Sequence, residues 1–215
     1  MVCRIVLLLA FLTAFPFPLW AINNFSWGAT GGVLVSLPPD LLLADENRSY
    51  KGFIGGVIGE MRITSLLSAR TGLMFRQEGT WLIPLTITDI NGQDLGTVYP
   101  SQEVHWFEIP LMAKITPFFG SLRPYALAGI NACVLTKASY KRQTLSGSYE
   151  VMPNSDEFNS GIVGMTFGAG VGYNIPMFAE VFIEGRYARG FNGIHRRLDW
   201  SNPSVSFCAG FLVHL

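Results

Sequence analysis

Apolar and polar residues alternate with a period of two along most of the chain, in eight segments separated by clusters of turn-forming residues. The segments span roughly 25–36, 51–63, 68–79, 103–116, 122–137, 160–175, 178–190 and 204–215. Most run ten to fifteen residues, enough to cross a bilayer when tilted and longer than ordinary globular strands. The connections alternate in length: 37–50 long, 64–67 short, 80–102 long, 117–121 short, 138–159 long, 176–177 short and 191–203 long. All short turns then fall on one rim and all long loops on the other, the layout of barrels with periplasmic turns and extracellular loops. The pattern predicts an all-β fold, an eight-stranded antiparallel up-and-down transmembrane β-barrel.

Residues of one parity share a face of a strand, and each segment sets charge against apolar bulk. Glu60 and Arg62 oppose Phe53, Val57, Met61 and Ile63, while Arg70, Arg76 and Glu78 oppose Leu73 and Phe75. Glu108 and Lys114 oppose Phe107, Ile109, Leu111, Ala113 and Ile115, and Glu180, Glu184 and Arg186 oppose Val181, Ile183 and Tyr187. The charged faces carry five acids (Glu60, Glu78, Glu108, Glu180, Glu184) and five bases (Arg62, Arg70, Arg76, Lys114, Arg186). Equal numbers predict mutual pairing inside a lumen that eight strands leave just wide enough for side chains to fill. Gly164, Gly168, Gly170 and Gly172 share the charged parity with Thr166 and would leave room there for long side chains. A soluble ligand-carrying barrel of the lipocalin kind would show the same alternation with its faces reversed.

Composition narrows the choice. Only 14% of residues are charged and 49% are hydrophobic, yet after residue 21 no apolar run approaches the length of a spanning helix. Backbone groups in lipid must be satisfied internally, so a closed barrel is the remaining way across. The first 21 residues read as a cleaved secretory signal peptide: Arg4 supplies the positive region, Ile5 to Phe15 the apolar region, and Ala21 the small residue before the cut. The barrel domain would then occupy 22–215, exported to the outer membrane; an uncleaved anchor is the alternative. Fifteen acids against fifteen Lys and Arg give no basic footprint for nucleic acid.

Candidate chemistry is sparse. His105, His195 and His214 lie in different elements without metal-ligand spacing, so no metal or other cofactor is expected. His195, Asp199 and Ser201 share the last long loop, the nearest approach to a lipid-modifying deacylase set, but no nucleophile and base face each other on adjacent strands. A loop contact for lipopolysaccharide phosphates explains His195, Arg196 and Arg197 more simply than catalysis, and a plain solvated loop is the remaining reading. Asp89, Asn91, Gly92 and Asp94 lack the spacing of a calcium loop and read as a turn. Cys133 and Cys208 fall in separate strands, as buried thiols or as a disulfide. Aromatic residues near strand ends, Trp27, Tyr50, Trp81 and Trp106 among them, are candidates for interfacial girdles. Pro110, unable to donate to a ladder, should mark a bulge.

Several blocks together give a resemblance. They are Trp27-Gly28-Ala29-Thr30-Gly31-Gly32, Phe107-Glu108-Ile109-Pro110-Leu111-Met112-Ala113-Lys114 and Arg123-Pro124-Tyr125-Ala126-Leu127-Ala128-Gly129, followed by Gly168 to Tyr173 and Glu184 to Asn192. In order and spacing the chain resembles the PorT-like small outer-membrane β-barrel family of Bacteroidota. The resemblance implies a barrel in the outer membrane, lipid and lipopolysaccharide around it, and a role in secretion or surface contact. It carries over no catalytic residue. The apolar face of the last strand, Phe207, Ala209, Phe211, Val213 and Leu215, resembles the signal read by barrel-assembly machinery.

Overall fold

The computed structural model describes residues 24–37, 49–117, 120–143, 149–176, 178–194 and 203–214. In chain order the strands are β1 (Phe25–Ser36), β2 (Tyr50–Arg62), β3 (Leu67–Trp81), β4 (Leu85–Thr88), β5 (Asp94–Val98) and β6 (Ser101–Ile115). They continue with β7 (Leu122–Gln143), β8 (Tyr149–Pro153), β9 (Gly161–Ile175), β10 (Ala179–Gly190) and β11 (Ser204–His214). Eight of them, β1, β2, β3, β6, β7, β9, β10 and β11, pair antiparallel in sequence order, and β11 returns to β1 with Gly31 opposite Ala209. The eight spanning strands thus form a closed ladder, as lipid demands of a spanning sheet.

Alternation decides which residues line the lumen. Val33, Phe53, Val57, Leu73, Phe107, Leu111, Phe167, Ile183 and Phe207 are exposed on the outer wall, Ile183 to 66%. The charged parity turns inward, where Arg70, Glu108, Lys114 and Glu184 are buried. Apolar outside and charged inside is the reverse of a soluble carrier, and the outer wall is the band that lipid covers.

The lumen is not uniformly polar. Ile58, Tyr125, Leu127, Phe182 and Leu212 cluster toward the short turns, and Leu34, Ile54, Met74 and Cys208 in the middle. Toward the long connections Val104, Trp106, Cys133, Phe158, Ile162 and Ile194 form a third cluster. Phe158 and Ile194 come from two long connections, which are tied together where Asn159 donates its backbone N–H to Ile194 O at 2.9 Å and its Nδ2 to Gly193 O at 2.6 Å. Trp106 does not join an interfacial girdle: it lies on the inward parity and is fully buried in this cluster. Cys133 and Cys208 are both free and buried.

Pro110 sits at no bulge. It pairs in register with Asn131 on β7, and on the β3 side the ladder passes from Thr71–Leu111 to Met74–Glu108 without a shift. The missing N–H is absorbed by a local interruption of one ladder. The irregularity of β6 lies instead between His105 and Trp106.

The long connections carry their own strands. β4 and β5 form a hairpin within the second, and β8 pairs with the outer part of β7, which reaches 22 residues against 12 for β1. At the β4–β5 turn the Asp89 carboxylate accepts the backbone N–H groups of Asn91 and Gln93, each at 2.8 Å, while Gly92 takes φ 81°. Those N–H groups, that of Gln93 foremost, hold the Asp89 carboxyl below its usual range. This is turn chemistry.

Candidate functional site: the ion-paired lumen

The inner network starts from one cross-strand pair. Glu60 of β2 stands opposite Arg70 of β3 and accepts its Nε at 3.0 Å and its Nη2 at 2.8 Å. The remaining Nη1 of Arg70 reaches across the lumen to Glu184 of β10 at 2.9 Å. Glu184 also accepts Arg186 Nε at 2.7 Å and the Tyr125 hydroxyl of β7 at 2.8 Å. Lys114 of β6 donates to Glu180 at 2.7 Å and to Glu60 at 3.3 Å. The Arg70 guanidinium lies 4.9 Å from the Phe182 ring centroid, and Lys114 Nζ lies 4.5 Å from that of Tyr125. Five strands therefore meet at one layer through charge-assisted hydrogen bonds.

Glycine on β9 makes that layer fit. Gly170 stands between Tyr125 and Glu184 in the two ladders, and a Cβ there would lie 2.6 Å from the Tyr125 ring and hydroxyl. At Gly172 it would lie 2.7 Å from the Glu180 carboxylate. The glycine parity opens the wall for the long side chains, as the sequence led us to expect.

A second layer lies nearer the long connections. Arg76 of β3 pairs with Glu78 and, through Nη1 at 2.8 Å, with Glu108; its Nη2 also donates to Ser204 at 2.5 Å. At the rim, Glu103 gathers Lys141, the Tyr50 hydroxyl at 2.8 Å and His105 Nε2 at 2.5 Å.

The chain matches the family described as outer membrane protein beta-barrel domain over residues 15–196, most of its length. It belongs to that family. Among solved structures, Neisserial surface protein A (NspA) is similar in fold at a TM-score of 0.53 and 14% identity, over 89% of this chain and 97% of that one. Ail of Yersinia pestis, crystallised with the heparin analogue sucrose octasulfate, has 10% identity and a TM-score of 0.42 over 88% of this chain and 98% of its own. OprG of Pseudomonas aeruginosa has 12% identity and a TM-score of 0.44 over 91% and 96%. No curated protein matches the chain.

In this member of the outer-membrane barrel family, Arg62 departs from the expected five-against-five network. It is exposed at the short-turn end and makes no ion pair among the described residues. Its parity is inward, as expected, but it is the last residue of β2, below the layer where the carboxylates already have partners. His195, Arg196 and Arg197, with Asp199 and Ser201, lie outside the described residues. Sequence reasoning missed Tyr125, the Glu103 cluster and the inward side chains of Phe158 and Ile194. Tyr125 carried a signal, because its parity is that of Leu127 and Cys133. Its partner Glu184 is far along the chain, and only the register brings them together.

Proposed function

We propose that this outer-membrane barrel is a closed, non-enzymatic scaffold that presents its long connections to a surface or secretion partner. The observation that carries the reading is Arg70, wholly buried and bonded at once to Glu60 on one wall and Glu184 on another. A guanidinium held this way spans the lumen where a pore would need open water. Tyr125 and Phe182 pack into that same layer, and the clusters around Met74 and Trp106 toward the long connections add side-chain layers that a hydrated ion could pass only by dehydrating. The charged groups of the two buried layers are spent on one another, which supports a structural role over an acid–base one. Lipopolysaccharide and phospholipid would surround the apolar wall, assembly machinery would engage β11, and a leader ending near residue 21 would direct export. The residue blocks quoted from the sequence favour the PorT-like group of Bacteroidota within the family.

The purified chain inserted into planar lipid bilayers tests the closed lumen. We expect no unitary conductance steps above the bare membrane. Steady, reproducible steps from the wild-type chain would refute the closed reading.

A further inference from the structure

The short-turn mouth holds positive charge that the lumen does not use. A polar cavity of about 220 Å³ opens there, lined by Glu60, Arg62, Arg123, Asn174, Glu180 and His214 among others. An adjoining cavity of about 130 Å³ shares Glu60, Arg62, Arg123 and Glu180. These side chains lie on the inward parity of β2, β7, β9, β10 and β11, so the cavity faces the aqueous periplasm and not the lipid.

Both carboxylates of the mouth are turned toward deeper cations. Glu60 accepts from Arg70 and Lys114, and Glu180 accepts from Lys114. In the layer above the mouth, Glu60, Glu180 and Glu184 are matched by Arg70, Lys114 and Arg186, three charges against three. Arg62 and Arg123 are left over. Arg123 donates Nε to Gly120 O at 2.9 Å, lines both cavities, and makes no ion pair among the described residues. Arg62 makes no hydrogen bond or ion pair among the described residues. His214 is engaged with Ser26 at 2.8 Å and Asn174 at 3.2 Å, linking β11 to its neighbour β1 and, past β10, to β9.

We propose that this mouth is a binding site for a small soluble dianion of the phosphate class, held between the guanidinium groups of Arg62 and Arg123. A guanidinium fork matches phosphate oxygens in pairs, and a phosphate dianion has oxygens enough for two forks. The cavity has room for a single small anion with its waters, and the balanced layer above it supplies no competing free cation.

The test uses the full chain refolded in uncharged detergent micelles and titrated with inorganic phosphate, with the arginine Nε–Hε resonances followed by NMR. Those of Arg62 and Arg123 should move along one saturable isotherm, and sodium chloride at equal ionic strength should not reproduce it. Arg62→Gln and Arg123→Gln should each weaken the isotherm about tenfold or more. Arg189→Gln, exposed on the outer wall, should leave it unchanged. A linear drift without saturation, a response copied by chloride, or equal weakening by Arg189→Gln would overturn the proposal. The wild-type isotherm stands independently of how the variants fold, and heat-modifiable gel migration identifies those that do fold.

Discussion

Replacing Arg70 with methionine is the sharpest test of how the lumen is held together. The substitution keeps much of the stem and removes three charge-assisted hydrogen bonds, two to Glu60 and one to Glu184. It also removes the cation lying over Phe182. Breaking a buried pair by deleting one partner costs about 3–5 kcal/mol, because the remaining charge stays buried. Here the two carboxylates keep company: Glu60 retains Lys114, and Glu184 retains Arg186 and the Tyr125 hydroxyl. The lower end, about 3 kcal/mol, is therefore the expected loss. Urea unfolding in lipid vesicles, read by tryptophan fluorescence and by gel migration, measures it. Combining Arg70→Met with Glu184→Gln should recover part of the loss, with a coupling of about 1–3 kcal/mol. A single-variant loss under about 1 kcal/mol, together with an additive cycle, would mean that Arg70 is solvated by water in the lumen and that the pairs carry little energy.

Two further outcomes test the faces of the sheet. Leu73→Arg puts a cation on the outer wall and should cost about 2–4 kcal/mol near mid-membrane, seen as loss of the heat-modifiable folded band, whereas Met74→Leu, one residue on and fully buried in the lumen, should cost less than about 1.5 kcal/mol. Gly170→Ala should destabilise by about 1–3 kcal/mol because its Cβ would meet the Tyr125 ring at 2.6 Å, while Gly185→Ala, whose Cβ meets nothing nearer than Phe207 at 3.6 Å, should unfold at the wild-type urea concentration; equal behaviour of the two would refute the glycine wall.

Strand limits were legible because each segment must alternate over its whole membrane crossing, so the pattern ends where the lipid ends. The first segment, 25–36, coincides with Phe25–Ser36, and 122–137 starts with β7 at Leu122. Outside the lipid no such requirement acts, and β4, β5, β8 and the last residues of β7 escaped notice: four or five residues such as Leu85–Thr88 carry too short a pattern. Parity correctly sorted inward from outward residues, but it says nothing about depth or partner. Arg62 and Arg70 have the same parity, yet one is exposed at the mouth and the other fully buried between two carboxylates. Trp106 illustrates a related limit: its place near a strand end suggests a girdle, whereas its inward parity puts it in the lumen. The Arg70–Glu184 contact joins residues 114 apart in the chain, and a one-residue slip of register anywhere between would abolish it.

The uneven rim matters for anything that docks from outside. β7 exceeds β1 by ten residues, 22 against 12, so one side of the wall continues about 30 Å further along the strand direction before tilt is counted. With β8 bonded along it, that side is a stiff parapet whose conformational entropy was already surrendered when the barrel folded. A partner gripping it gives up little further freedom on its behalf, and meets it from one bearing only.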